Sequence, residues 1–177
     1  MKIKAVLFDE NMLNKSIVRI AHQIIEKNEN VENICLIGIK TRGVPFAKRL
    51  CEEISKIENK KINVGTLDIT MYRDDLNLKK EPVVNQSDIS FDITGKTVVL
   101  TDDVIYTGRT ARCALDAVIS YGRPAKIQLA VMVDRGHREL PIRADYVGKN
   151  VPTARHEAIR VNFKEIDGYD CIELYEK

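Results

Sequence analysis

The sequence predicts an α/β fold, a central and mostly parallel sheet flanked by helices. Three observations carry this reading. Short apolar runs rich in β-branched residues recur at 33–39, 97–101 and 126–133. Each runs into a polar, glycine-bearing turn. Segments with apolar residues spaced by three and four alternate with them, so strands and helices follow one another along the chain. Such alternation implies right-handed crossovers and helices on both faces of one sheet.

In chain order, residues 11–28 carry Leu13, Ile17, Ile20, Ala21 and Ile24 on one helical stripe. Lys15, Arg19 and His22 share another face of that helix, with Val18 one turn before His22. The run 33–39 is a buried strand that turns through Lys40-Thr41-Arg42-Gly43 into a second helix. Residues 61–70 alternate like a strand. The segment 72–88 is polar, contains Pro82 and lacks apolar periodicity; it reads as a long mobile excursion, and loops of that length are usually functional or disordered. A helix after the 97–101 strand ends at Gly122 with Pro124 beyond. From Gly136 the pattern is less regular, with strands expected at 158–163 and 171–175.

At 177 residues, with 44% hydrophobic and 31% charged residues, the chain fits one soluble domain with a substantial core. No apolar run reaches the roughly 20 residues a membrane span needs, and the start lacks a secretory pattern, so the cytoplasm is the expected location. The four cysteines (35, 51, 113, 171) lie far apart with no metal-ligand spacing and read as reduced packed thiols. Net charge is only +2. Its distribution says more: residues 135–160 hold six Lys/Arg against three acids, whereas residues from 161 onward hold two lysines against five acids. A basic patch before an acidic tail suits either a binding surface or a solvated face.

Ligands of a parallel sheet bind beyond the carboxyl ends of its strands. All three polar turns should therefore meet in one cleft. In the second, Asp102-Asp103-Val104-Ile105 precede Tyr106-Thr107-Gly108-Arg109-Thr110. Backbone N–H groups at a helix start, with two threonine hydroxyls, suit a phosphate. Gly108 permits close backbone approach, and Arg109 adds charge. The acids suit vicinal sugar hydroxyls, or a Mg²⁺ ion reached through water. A phosphate on one side and a diol on the other describe a phosphorylated ribose. The P-loop pattern GxxxxGK[ST] is absent, which argues against a nucleoside triphosphatase.

Four apolar residues, two acids and then Thr-Gly-Arg-Thr resemble the fingerprint of the type I phosphoribosyltransferases, which bind 5-phosphoribosyl-1-pyrophosphate (PRPP). The resemblance implies that Asp102 through Thr110 hold the 5-phosphate and ribose, and that Thr41 and Arg42 hold the pyrophosphate. Arg42, Arg73, Asp102 and Asp103 would be the catalytic set. Tyr72-Arg73-Asp74-Asp75 resemble the start of a flexible loop that closes over PRPP and excludes water; Asp74 and Asp75 read equally as ordinary loop carboxylates. The implied architecture is a single domain over 1–177: a core at about 11–135, the loop at 72–88, and a small hood with C-terminal strands at 136–177.

Purine-salvage members carry an aspartate where this chain has Tyr106, whose phenol titrates at about 10 and cannot take that proton near neutral pH. The chain resembles instead, over nearly its whole length, the branch that regulates pyrimidine operons and is also a uracil phosphoribosyltransferase. That resemblance implies a uracil pocket at Val133, Asp134 and Arg135, Mg²⁺ entering with PRPP, and a homodimer or higher homo-oligomer. It further implies UMP-responsive binding of pyrimidine-operon leader mRNA, with Arg19, His22, Arg138, Arg143 and Lys149 on the RNA face. Val18 departs from the threonine expected there. On residues alone, Arg19 and His22 read as a solvated helix face, Arg138 and Arg143 as intersubunit ion-pair partners, and Asp134 as a structural one. A salvage enzyme without specific RNA binding is the alternative.

Overall fold

A computed structural model describes residues 2–72 and 86–176. Strand β1 (Lys2–Phe8) leads into helix α1 (Glu10–Lys27), whose start is capped by Asp9 accepting a hydrogen bond from the Met12 N–H at 2.8 Å. Then come β2 (Ile34–Ile39), α2 (Gly43–Glu58), β3 (Asn63–Leu67), β4 (Thr97–Ile105), α3 (Arg109–Ile119) and β5 (Lys126–Asp134). The chain ends with β6 (Tyr146–Asn150), β7 (Glu157–Asn162), the one-turn α4 (Lys164–Asp167) and β8 (Cys171–Glu176).

Five strands form one sheet in the order β3-β2-β4-β5-β6, every pair parallel. Its strands alternate between two cores, as a sheet covered on both faces must. Leu36, Val99, Ala130 and Met132 pack with α1 and α2, while Ile37, Leu100 and Val131 pack with α3. A second, antiparallel sheet has the order β1-β8-β7 and shares the α1 and α2 core through Phe8, Val161 and Ile172.

Two strands escaped the sequence reading. β1 is exposed along nearly all its length, so no inward-outward alternation marks it. β6 is a five-residue edge strand containing Gly148 and Lys149, with only Tyr146 fully buried. The expected strand at 61–70 stops at Leu67, because the Asp68 carboxylate accepts the Thr70 N–H at 2.8 Å and a 3₁₀ turn follows.

The strand expected at 97–101 is longer, and this correction bears on the site. β4 continues to Ile105, so Asp102 and Asp103 lie within the strand, just before the 106–110 turn. Pairing with β5 persists through Ile105–Asp134, whereas pairing with β2 stops at Gly38–Thr101. The acids therefore sit where β4 outruns its neighbour. That gap is also the switch point of the sheet, because β2 crosses over through α2 to one side and β4 through α3 to the other.

Candidate active site

The gap between β2 and β4 receives both glycine turns. From β4, Gly108 adopts φ +94° and caps α3, a conformation that favours a residue without a side chain. The Thr107 carbonyl accepts the Glu139 and Leu140 N–H groups at 3.0 and 3.1 Å, so the strip after Gly136 closes one side of the turn. The result is a pocket of about 160 Å³ lined by Asp102, Val104, Ile105, Tyr106, Thr107, Gly108, Arg109 and Thr110, with Val131 beneath. The α3 N-terminus opens onto it, a position that favours anions. Arg109 is about half exposed and forms an ion pair with Glu139 at 3.0 Å, so its charge sits at the rim.

From β2, the Lys40–Thr41 peptide is cis and the Lys40 N–H donates to Leu67 O at 3.0 Å. Gly43 lies against β4: a Cβ there would stand 2.2 Å from Thr101 O, and the Thr101 hydroxyl donates to Gly43 O at 2.7 Å. This close approach brings Lys40, Thr41 and Arg42 into one pocket of about 190 Å³ with Asp102, Asp103 and Thr110. The two pockets share Asp102, Val104 and Thr110 in their walls, and so adjoin along the end of β4.

The acid pair is locally ordered. Asp102 accepts the Asp103 N–H at 3.0 Å and Asp103 accepts the Val104 N–H at 2.9 Å. Burial pushes the Asp103 carboxyl above its ordinary range, outweighing these contacts and the nearby Arg42 charge. Arg42 does not project as a lone cation. Its Nε and Nη2 grip the Asp167 carboxylate at 3.2 and 2.7 Å.

The expected uracil pocket is organised differently from the expectation. Val133 is fully buried in the core and paired in the sheet with Val104 and Lys149, so it is not open to a ligand. Arg135 is 6% exposed; its guanidinium donates to Thr153 Oγ1 at 3.1 Å and to Glu157 O at 2.7 Å. It stacks 4.0 Å from the Tyr106 ring centroid, so it supports Tyr106 from below rather than lining the cleft itself. Asp134 pairs with Arg138 and also accepts the Gly136 N–H at 3.0 Å. His137, which the sequence reading passed over, sets its ring edge-on to Tyr106 at 5.8 Å and bonds Thr153 O at 2.6 Å.

Among the five basic residues assigned to an RNA face, Arg19, His22 and Arg143 are exposed. Arg19 donates to Gly148 O at 2.5 Å, covering the open edge of β6 beside Lys149. The Lys149 ammonium lies 5.0 Å from the Phe8 ring. Arg143 stands two residues before Asp145, whose carboxylate pairs with Lys27 of α1 at 2.6 Å. Arg138 is engaged within the fold. Its guanidinium donates to Tyr106 O at 2.6 Å and Ile142 O at 2.8 Å and pairs with Asp134, so it braces the Tyr106 turn from inside.

Arg73, Asp74, Asp75 and most of the 72–88 segment lie outside the described residues. Among the described residues, no group of three or more His, Cys, Asp or Glu side chains is arranged to hold a metal, and no helix is long and apolar enough to cross a membrane. The acidic tail has a use that charge counting could not foresee. Arg49 pairs with Glu165 and Asp170 at 2.7 and 2.8 Å, and Asp167 pairs with Arg42 and Arg160.

Comparison with known proteins places this geometry. The family model described as phosphoribosyl transferase domain matches residues 7–165. Proteins named "Bifunctional protein PyrR" from Bacillus cereus (strain AH820) and Bacillus thuringiensis subsp. konkukian (strain 97-27) are each 57% identical over 180 residues, covering both chains fully. Among solved structures, a hypoxanthine-guanine phosphoribosyltransferase from Bacillus anthracis superposes with TM-score 0.73 at 23% identity, covering 98% of each chain. A hypoxanthine phosphoribosyltransferase of Trypanosoma cruzi gives 0.75 at 21%, covering 98% of this chain and 92% of that one. At such identities the two structures speak for the fold, which is that of the type I enzymes. With the family model spanning most of its length and 57% identity end to end, the chain belongs to the phosphoribosyltransferase family.

Proposed function

We propose that the protein transfers the phosphoribosyl group of PRPP to uracil, giving UMP and diphosphate, and that UMP- and PRPP-responsive binding of pyrimidine-operon leader mRNA is its second activity. The observation that carries the catalytic half is the pair of adjoining pockets at the end of β4. At one end stand the α3 N-terminus and the 106–110 turn, at the other the 40–43 turn, with the acid pair between. A ligand with a phosphate, a diol and a diphosphate in that order matches the cleft group by group.

In this reading the 106–110 turn holds the 5-phosphate, while Asp102 and Asp103 face the ribose hydroxyls. Thr41, Arg42 and the backbone of their turn hold the diphosphate. Mg²⁺ arrives as part of the substrate complex; the acid pair suits its water shell. As the C1–oxygen bond breaks, its electron pair leaves with the diphosphate and positive charge develops on the sugar. Uracil N1 forms the new bond from the opposite face and its proton passes to solvent. The protein supplies position and charge complementarity rather than a nucleophile. Uracil would rest beside Tyr106, near the end of β5 at Asp134, with Arg135 and Arg138 as bracing. Arg73 would close over the diphosphate.

Labelled uracil incubated with PRPP and Mg²⁺ tests this directly; UMP no higher than in an enzyme-free control removes it. The RNA half is supported by the relatives' designation as bifunctional and by the exposed Arg19, His22 and Arg143 with Lys149. UMP-dependent retardation of leader RNA checks it, and equal retardation of a scrambled stem-loop would reduce the basic face to nonspecific attraction. Cytoplasmic location and assembly into dimers or larger homo-oligomers belong to the same proposal. Light scattering that returns the mass of one chain would remove the assembly.

A further inference from the structure

We propose that Asp167 is a positioning residue for Arg42 at the diphosphate end of the cleft; the inference rests on the phosphoribosyl-transfer reading above. The Asp167 side chain is 6% exposed and takes four donors: Arg42 Nε and Nη2 at 3.2 and 2.7 Å, Arg160 Nη2 at 3.1 Å and the Phe163 N–H at 3.0 Å. A two-point grip on a carboxylate fixes the plane of a guanidinium, which a single contact does not. With Nε and Nη2 turned to Asp167, the direction of Nη1 is set, and Arg42 shares its pocket with Asp102 and Asp103.

The carboxylate is itself held in place. Arg49, two helical turns beyond Arg42 on α2, binds Glu165 and Asp170 on either side of Asp167. The guanidinium of Arg49 also lies 5.3 Å from the Phe163 ring. The segment 163–170 is thus clamped along α2, and Asp167 is delivered to the Arg42 end of that helix. Burial pushes the Asp167 carboxyl up, but its arginine and N–H partners outweigh this and hold it below the usual range.

The test compares Asp167→Asn with the parent protein in steady-state kinetics and in calorimetric binding of the Mg²⁺–PRPP complex. Loosening the guanidinium should raise the PRPP KM and the pyrophosphate inhibition constant by about tenfold, while kcat and the uracil KM stay within about twofold. Within an Arg42→Ala background the Asn substitution should change nothing further, because its effect travels through Arg42. Asp170→Asn, which weakens the Arg49 clamp and the Lys164 N–H contact but leaves the Arg42–Asp167 pair in place, should lower Tm with a smaller rise in PRPP KM than Asp167→Asn gives. An unchanged PRPP KM in Asp167→Asn, or an equal rise in the Arg42→Ala background, overturns the proposal. Should Asp167→Asn fail to fold, Arg42→Lys, which cannot grip a carboxylate at two points, must show the same rise, and the parent's KM there overturns it equally. A parent protein that binds Mg²⁺–PRPP yet makes no UMP would defeat the uracil reading alone, with calorimetry still deciding the role of Asp167.

Discussion

Replacing Gly43 by alanine probes the contact that brings the two glycine turns together. A Cβ at this position meets Thr101 O at 2.2 Å, Thr101 C at 3.0 Å and Asp102 Cα at 3.3 Å. Non-bonded heavy atoms settle at about 3.5 Å, so the backbone of the 40–43 turn must withdraw from β4 by more than about 1 Å. All three obstructing atoms are backbone, so no side chain can swing aside. The withdrawal also stretches the Thr101 hydroxyl bond to Gly43 O, which is buried at 2.7 Å. Overpacking of this kind costs about 1–3 kcal/mol, or several degrees of Tm at roughly 2–4 °C per kcal/mol for a chain of this size. The larger effect falls on catalysis. The move separates Thr41 and Arg42 from Asp102 and Asp103, and a 1 Å misplacement of this sort can cost about 100-fold in rate. Initial rates over a PRPP series, with a thermal melt of the same sample, read both quantities. A Gly43→Ala protein retaining the parent kcat/KM would show that the turns need not touch, and the cleft geometry would lose its claim to explain function.

Three further substitutions extend the reasoning. Burial raises the Asp103 carboxyl, so the native state binds that proton more tightly than the unfolded chain; its stabilising contribution is complete below the unfolded value of about 3.9 and is lost as pH rises through the raised native value. Asp103→Asn should therefore melt higher than the parent at pH 7, lose that advantage below about pH 4, and turn over far more slowly; a lower Tm at pH 7 contradicts the sign. Arg135→Lys keeps the charge but loses the fork to Thr153 and Glu157 O and the stack on Tyr106, so it should cost about 1–3 kcal/mol of stability and raise the uracil KM, with denaturant melts and kinetics as the measurements. Arg143→Ala should weaken leader-RNA binding and reduce the salt slope by about 0.7–1, leaving uracil turnover intact; loss of both activities would mean that Arg143 serves the cleft.

What the sequence reveals and what it conceals divides along physical lines. Helix α1, strands β2, β4 and β5 and the two glycine turns are legible because each obeys a local rule: 3.6-residue periodicity, a continuous apolar run, or a glycine where backbone must approach backbone. The placing of the acid pair and the 106–110 turn at the end of β4 was legible for the same reason, since it follows from residue type and adjacency. The partners of Arg42, Arg135 and Arg138 were not. Nothing in the order of residues tells an arginine that faces a ligand from one that braces a turn, because the difference lies in contacts across separations of 125 residues for Arg42–Asp167 and 22 for Arg135–Glu157. The five acids after Val161 were the one available signal. Read as net charge they suggested a tail of one sign beside a basic patch, whereas three of them answer Arg49 on α2 and Arg42 at its N-cap. A charge asymmetry between adjacent segments is thus as consistent with internal ion pairing as with an external partner. Only the exposed cations, Arg143 and His22 among them, remain as evidence for a surface that meets RNA.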